Sequence, residues 1–454
     1  MAQYGTGACP DPGQDTGRPR LRFETLDSWR GICAILVAMM HFPVSGWLAE
    51  TSIVRGGYLF VDYFFVLSGA VIAHGYGDRI ADGAGYLRFI ALRLGRIYPL
   101  HVAVLLLFVA FEALRLAVPA LHGDGAAPFT EGNTVDTLLS SLLMLNGVGV
   151  EKQLVWNGPS WSISSEFWTY VLFGGVVLAL RKRVWLALAA AVVVCPILLA
   201  LGSTTHFMDT TYDFGLVRCI YGFSLGALLY AFFRRGAMRP SGAAGQSAVL
   251  WTCLELGTVI MVGVFVSLAA RNAWSFAAPF VFGAALLVFM HERGAVSRLL
   301  RMRFFLWLGT LSYGIYMFHI FVQSRMINAG TLFGKLTGIE LIRPFDLAGQ
   351  HFYGFGVESP VFALAIMLAM LGAVVAAAWL GRVLVEVPFM RMTKRWVDAR
   401  SAQRIVYRRR YAAIVPGRTA GADGGFRTIL AASSGSVPAE FFRADASGLD
   451  RFSK

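Results

Sequence analysis

The sequence predicts an all-α, polytopic membrane protein with about ten transmembrane helices plus a short re-entrant or interfacial helix. Three observations carry that prediction. Of 454 residues, 56% are hydrophobic and only 15% are charged, too apolar a balance for an ordinary soluble domain. Apolar runs of roughly 18 residues or more, the length a helix needs to cross a bilayer core of about 30 Å, recur along the chain. Clusters of arginine and lysine punctuate these runs at alternate ends, as the positive-inside rule requires.

Residues 1–27 are polar, with Arg18, Arg20 and Arg22 and no apolar core of a signal peptide. They predict a cytoplasmic N-terminal tail ahead of an uncleaved first span at about 30–48. The second span covers about 58–76. A basic loop with Arg79, Arg88, Arg93 and Arg96 follows, and the third span covers about 97–118. Residues 119–160 hold few basic residues and read as external. Within them, 135–150 is apolar but short, and predicts the re-entrant or interfacial helix. Further spans are expected at about 162–180, 184–201, 214–233, 248–268, 274–291, 304–322 and 361–385. With 135–150 not crossing, Arg181-Lys182-Arg183, Arg234-Arg235, the 293–303 cluster and Arg391, Lys394 and Arg395 all fall on the cytoplasmic side with both termini. The domain reading is a tail at 1–27, a transmembrane domain at 28–398, and a basic tail at 399–454. The last segment, with Arg408-Arg409-Arg410, is rich in Gly, Ser and Ala and reads as disordered.

The net charge of +13 follows from this topology, so a bilayer and not nucleic acid is the expected partner. The five cysteines form no CxxC pair and the eight histidines no HExxH, so no metal site is expected.

Ionisable residues inside apolar runs point to chemistry. Arg30 and His41 have ten residues between them; on a helix that places His41 roughly 17 Å from Arg30, about halfway through the hydrocarbon core. Arg93 and Arg96 share one helix face, and guanidinium forks suit phosphate oxygens; taken alone, the pair also reads as a positive-inside anchor. Asp62 sits in an aromatic run where a carboxylate is costly, whereas Ser68-Gly69 reads as a small surface for close helix packing. Glu166 lies within the apolar segment after Trp156-Asn157-Gly158-Pro159-Ser160-Trp161. A carboxylate beside His41 would orient its imidazole, the arrangement of acid–base and acyl-transfer sites. Tyr316 and His319 stand one turn apart on one face and could line a polar cavity or form a structural pair. Glu386-Val387-Pro388 closes the last span, with the helix expected to stop before Pro388 and Glu386 to pair with an arginine.

Together these stretches resemble the acyltransferase-3 family of bacterial integral-membrane acyltransferases. The matching pieces, in order over about 24–395, are Arg30-x10-His41, the Val61–Gly69 stretch, Arg93-x-x-Arg96, the Trp161–Glu166 block, the Ser312-Tyr313 helix and Glu386-x-Pro388. The resemblance implies ten transmembrane helices in the cytoplasmic (inner) membrane. It also implies transfer of an acyl group, usually acetyl, from cytoplasmic acyl-CoA as co-substrate, with no permanently bound cofactor. The implied acceptor is a hydroxyl of a carbohydrate such as O-antigen, exopolysaccharide or peptidoglycan, with glycan-assembly partners.

On this reading His41 and Glu166 are the expected catalytic residues. Arg30, Arg93, Arg96, Asp62, Tyr316 and His319 are the expected donor- and substrate-binding residues. A proton-coupled transporter using His41, Glu166 and Asp62 as a relay is the rival reading; the absence of an internal repeat weighs against it. A scaffold for glycan assembly is a third.

Overall fold

The structure, a computed structural model, describes residues 23–77, 79–118, 127–202, 207–237, 247–347 and 349–414. Residues 1–22 and 415–454, which hold most of the two expected tails, lie outside this set.

The first helix, α1 (Glu24–His41), starts within the expected tail and ends well before residue 48. Pro43 explains the early stop. A proline disfavours the α region in the residue before it, and Phe42 is extended, with φ −84° and ψ 114°. His41 is therefore the last residue of its helix and not its midpoint. Two short helices, α2 (Trp47–Glu50) and α3 (Ser52–Arg55), lead to α4 (Phe60–Tyr76). Helix α5 (Gly83–Ala117) begins at an Asp82 cap whose carboxylate accepts the Gly85 N–H at 2.7 Å. It carries Arg93 and Arg96 in its body, so the third helix is longer than its apolar part.

The expected re-entrant or interfacial segment contains α6 (Val135–Leu142), which at about 1.5 Å per residue is too short to cross. Helices α7 (Trp161–Leu180) and α8 (Val184–Gly202) are separated by a 3₁₀ turn at Arg181–Arg183. Then come α9 (Gly215–Ala237), α10 (Ala248–Ala269), α11 (Ala278–Phe289), the short α12 (Ala295–Leu300) and α13 (Arg303–Thr337). Helix α13 ends at Gly338, whose φ of +74° is the left-handed C-terminal cap that glycine adopts freely.

A two-stranded hairpin follows, β1 (Ile342–Leu347) and β2 (Gln350–Phe355), a small addition to a helical chain. Its second strand is pinned to the segment after α1. Phe355 N–H donates to Pro43 O at 2.9 Å, and Ser45 N–H donates to Phe355 O at 3.0 Å. Helix α14 (Pro360–Gly381) runs through a π-helical turn (Arg382–Glu386) into α15 (Val387–Ile414). Pro388 thus does not end the helix. The wider turn before it accommodates the pyrrolidine ring and its missing N–H. Helix α15 also extends well into the segment expected as a disordered tail.

The protein is predominantly helical, as expected of a polytopic helical membrane protein. Among the described residues, seven helical stretches are long and apolar enough to cross a membrane, one of them, Gly158–Gly202, containing both α7 and α8. The chain divides into two compact units, one through Arg395 and one from Trp396 onward. In the second, the Arg400 guanidinium lies 3.9 Å from the centre of the Trp396 ring.

Small residues set the closest helix crossings. A Cβ on Gly31 of α1 would lie 2.8 Å from the Gly309 nitrogen of α13, and one on Gly69 of α4 would lie 1.9 Å from the Phe223 carbonyl oxygen of α9. The packing role read for Gly69 fits this geometry. Gly69→Ala is expected to destabilise the protein by about 1–3 kcal/mol, because backbone must move to admit the methyl group. Thermal unfolding in detergent checks this. Gly75→Ala is the control, since its Cβ would meet nothing within 4 Å.

Candidate active site

Helices α1, α4, α5, α7 and α13 and the π turn surround a cavity of about 630 Å³. Arginines gather toward one end. Arg30 is level with the Gly31–Gly309 crossing, and Arg382 donates to the carbonyl of Thr310 at 3.1 Å. Arg93 and Arg96 flank Ile97, whose carbonyl accepts the Tyr313 hydroxyl at 2.5 Å. All four arginines line the cavity, together with Asp27, Glu166 and Glu386. Arg30 leans toward Asp27 at 3.6 Å. Arg93 donates to the Tyr76 hydroxyl at 2.9 Å and stacks over that ring.

Tyr316 also lines the cavity, farther along α13. Its hydroxyl accepts from Ser162 at 2.8 Å and donates to the Pro159 carbonyl at 3.1 Å. One turn on stands His319, fully buried, with its ring centre 5.7 Å from that of Tyr316 and 5.0 Å from that of His41. Tyr316, His319 and His41 thus form a continuous series leading from the cavity to the end of α1.

Both imidazoles have their tautomer set by a backbone carbonyl. His41 Nδ1 lies 2.9 Å from Val37 O and His319 Nδ1 2.7 Å from Tyr316 O. A carbonyl only accepts, so each Nδ1 carries the hydrogen and each Nε2 keeps its lone pair. His41 is exposed, which leaves its Nε2 accessible. His319 Nε2 is buried without a hydrogen-bond partner.

Two expected residues stand elsewhere. Val37 O, and not Glu166, receives the His41 N–H. Glu166 instead accepts the Tyr170 hydroxyl at 2.5 Å, and that hydroxyl lies 2.7 Å from Ser68 Oγ. Asp62 is fully buried and bound through both oxygens by Arg218 of α9, at 2.9 and 2.8 Å. Arg218 also donates to the carbonyls of Tyr58 and Thr210. The carboxylate anticipated as a ligand contact is thus committed to an ion pair and is not among the cavity-lining residues. Arg218 and Arg382 were missed from sequence. The available signal was a single arginine inside an apolar segment, at 214–233 and at 361–385.

The matching segment settles the family. Residues 23–379 match the acyltransferase-3 model, an acyltransferase domain. The chain belongs to the acyltransferase-3 family. It is 27% identical over 411 residues to Acyltransferase MdmB of Streptomyces mycarofaciens, covering 83% of this chain and 94% of that protein. It is 31% identical over 188 residues to Protein 2 in picA locus of Rhizobium radiobacter, covering 38% of this chain and 94% of that protein. No solved structure matches. This acyltransferase-3 chain is accordingly a membrane acyltransferase. The matched segment contains Arg30, His41, Arg93, Arg96, Tyr316 and His319, and stops short of the π turn.

Proposed function

We propose that the enzyme transfers an acyl group, most simply acetyl, from cytoplasmic acyl-CoA to a hydroxyl of a carbohydrate presented from the other side of the bacterial inner membrane. The observation that carries this reading is the single cavity joining the arginine cluster to Tyr316, with His319 and His41 next in line. Arg30, Arg93 and Arg96 bind the CoA phosphates, a task suited to guanidinium forks. The pantetheine arm lies along the cavity and brings the thioester toward Tyr316 and His319. His41, exposed at the far end of α1, takes the proton of the acceptor hydroxyl on Nε2. The acceptor oxygen attacks the thioester carbonyl, the C–S bond breaks, and the thiolate leaves as CoA and is reprotonated. A second route has His41 carry the acyl group transiently. With the basic loops on the cytoplasmic side, as the positive-inside rule favours, the arginine end opens toward the compartment that holds acyl-CoA. Glu166 holds the Tyr170–Ser68 wall of the cavity, and Asp62 with Arg218 fixes α4 against α9.

Purified enzyme in nanodiscs, supplied with acetyl-CoA and a glycan extract, is expected to release free thiol. Arg93→Gln and Arg96→Gln are each expected to raise the KM for acetyl-CoA about 10- to 100-fold with a smaller change in kcat. This corresponds to losing a charge-assisted hydrogen bond of about 1.5–3 kcal/mol. Unchanged KM values in both variants would remove the arginine end as the donor site. No consumption of any short acyl-CoA, with substrate uptake driven by a proton gradient, would favour the transporter reading.

A further inference from the structure

The π turn lies beyond the matched family segment and carries Arg382 and Glu386, both on the cavity wall. π turns inside α-helices recur at functional sites. Here the turn brings the two side chains together, with Arg382 Nη1 3.6 Å from Glu386 Oε1. Arg382 Nη1 also donates to Thr310 O on α13, so the guanidinium bridges from the π turn to the helix that carries Tyr316. Glu386 is 97% buried, and its Oε2 has no hydrogen-bond partner. A carboxylate so placed anchors the arginine from one side. The Arg382 side chain remains about one-third exposed, at 31%, and retains donors that neither contact uses.

We propose that Arg382 is a fourth phosphate-binding arginine for the acyl-CoA donor, held across the cavity mouth by Glu386 and Thr310 O. The inference rests on the donor reading above. It adds a residue on the π turn, which packs beside α5, so a second element contributes to the arginine end that Arg93 and Arg96 line. CoA carries several phosphate charges, and Arg30, Arg93 and Arg96 set against Asp27, Glu166 and Glu386 leave no net positive charge on the cavity wall without Arg382.

The experiment compares acetyl-CoA with acetyl-pantetheine, which has the same thioester and arm but no phosphate, using the full chain in nanodiscs. Wild type is expected to prefer acetyl-CoA strongly, as a lower KM. In Arg382→Gln that preference is expected to shrink about tenfold, because only the phosphate-bearing donor loses a contact. Arg382→Lys should recover part of it, keeping the charge without the fork. Arg382→Gln leaves Glu386 buried without its counter-ion. Should it fail to accumulate, the double variant Arg382→Gln/Glu386→Gln removes both charges and carries the same expectation. A preference equal to wild type, or equal losses with both donors, overturns the role of Arg382 while leaving Arg93 and Arg96 as the donor site. Absence of any wild-type preference for acetyl-CoA overturns the donor reading itself.

Discussion

His41→Ala is expected to lower kcat about 10²–10⁴-fold, the usual contribution of general acid–base catalysis, while the KM for acetyl-CoA stays within about threefold. The reason is positional. The donor phosphates are assigned to Arg30, roughly 17 Å from His41 along α1, and to Arg93 and Arg96 of α5, so removing the imidazole leaves donor binding intact. The Val37 carbonyl holds the Nδ1 hydrogen and leaves Nε2 as the base. His41→Gln keeps side-chain polarity but cannot take a proton, and it is expected to be as impaired as the alanine variant. Thiol release over a range of acetyl-CoA concentrations gives both constants. Wild-type activity in either variant would contradict the assigned base.

Arg218→Ala is expected to destabilise the enzyme by about 3–5 kcal/mol, since it strands the fully buried Asp62 carboxylate. The guanidinium also satisfies two backbone carbonyls, of Tyr58 and Thr210, which would lose their donors. Asp62→Ala is expected to fall in the same range for the mirror-image reason. Replacing both residues with apolar side chains of similar volume should recover much of the loss, as it does for other buried ion pairs. Thermal unfolding in detergent reads all three. Single variants of wild-type stability with a raised donor KM would instead return Asp62 to the ligand-binding role its sequence context suggested.

The spans were legible because length and apolarity alone fix where helices can cross. His41 stands out in the sequence because an ionisable group is expensive in such a run, and Arg93 and Arg96 because they share one helix face. Partnerships were not, because they are long-range. Asp62 and Arg218 lie 156 positions apart, and nothing local shows that the costly carboxylate of α4 is balanced by the costly guanidinium of α9. The same holds for Glu166, which was placed beside the imidazole on chemical grounds and is satisfied by Tyr170 one turn away. The early end of α1 was available from Pro43 but was overridden by the apolar run that continues past it. The hairpin at Ile342–Phe355 pairs locally and is tied at Phe355 to the backbone after α1, more than 300 residues earlier, a contact that no local pattern announces. The π turn was hidden because Pro388 reads locally as a helix stop, and only the wider turn before it lets the helix continue.

The most direct measurement is a cryo-EM map of the enzyme in nanodiscs with a non-hydrolysable acetyl-CoA analogue. Phosphate density is expected against Arg30, Arg93 and Arg96, with an extended arm in the cavity and the acyl end beside Tyr316 and His319, within reach of His41. Phosphates bound anywhere else, or an acyl end pointing away from His319, would contradict that placement.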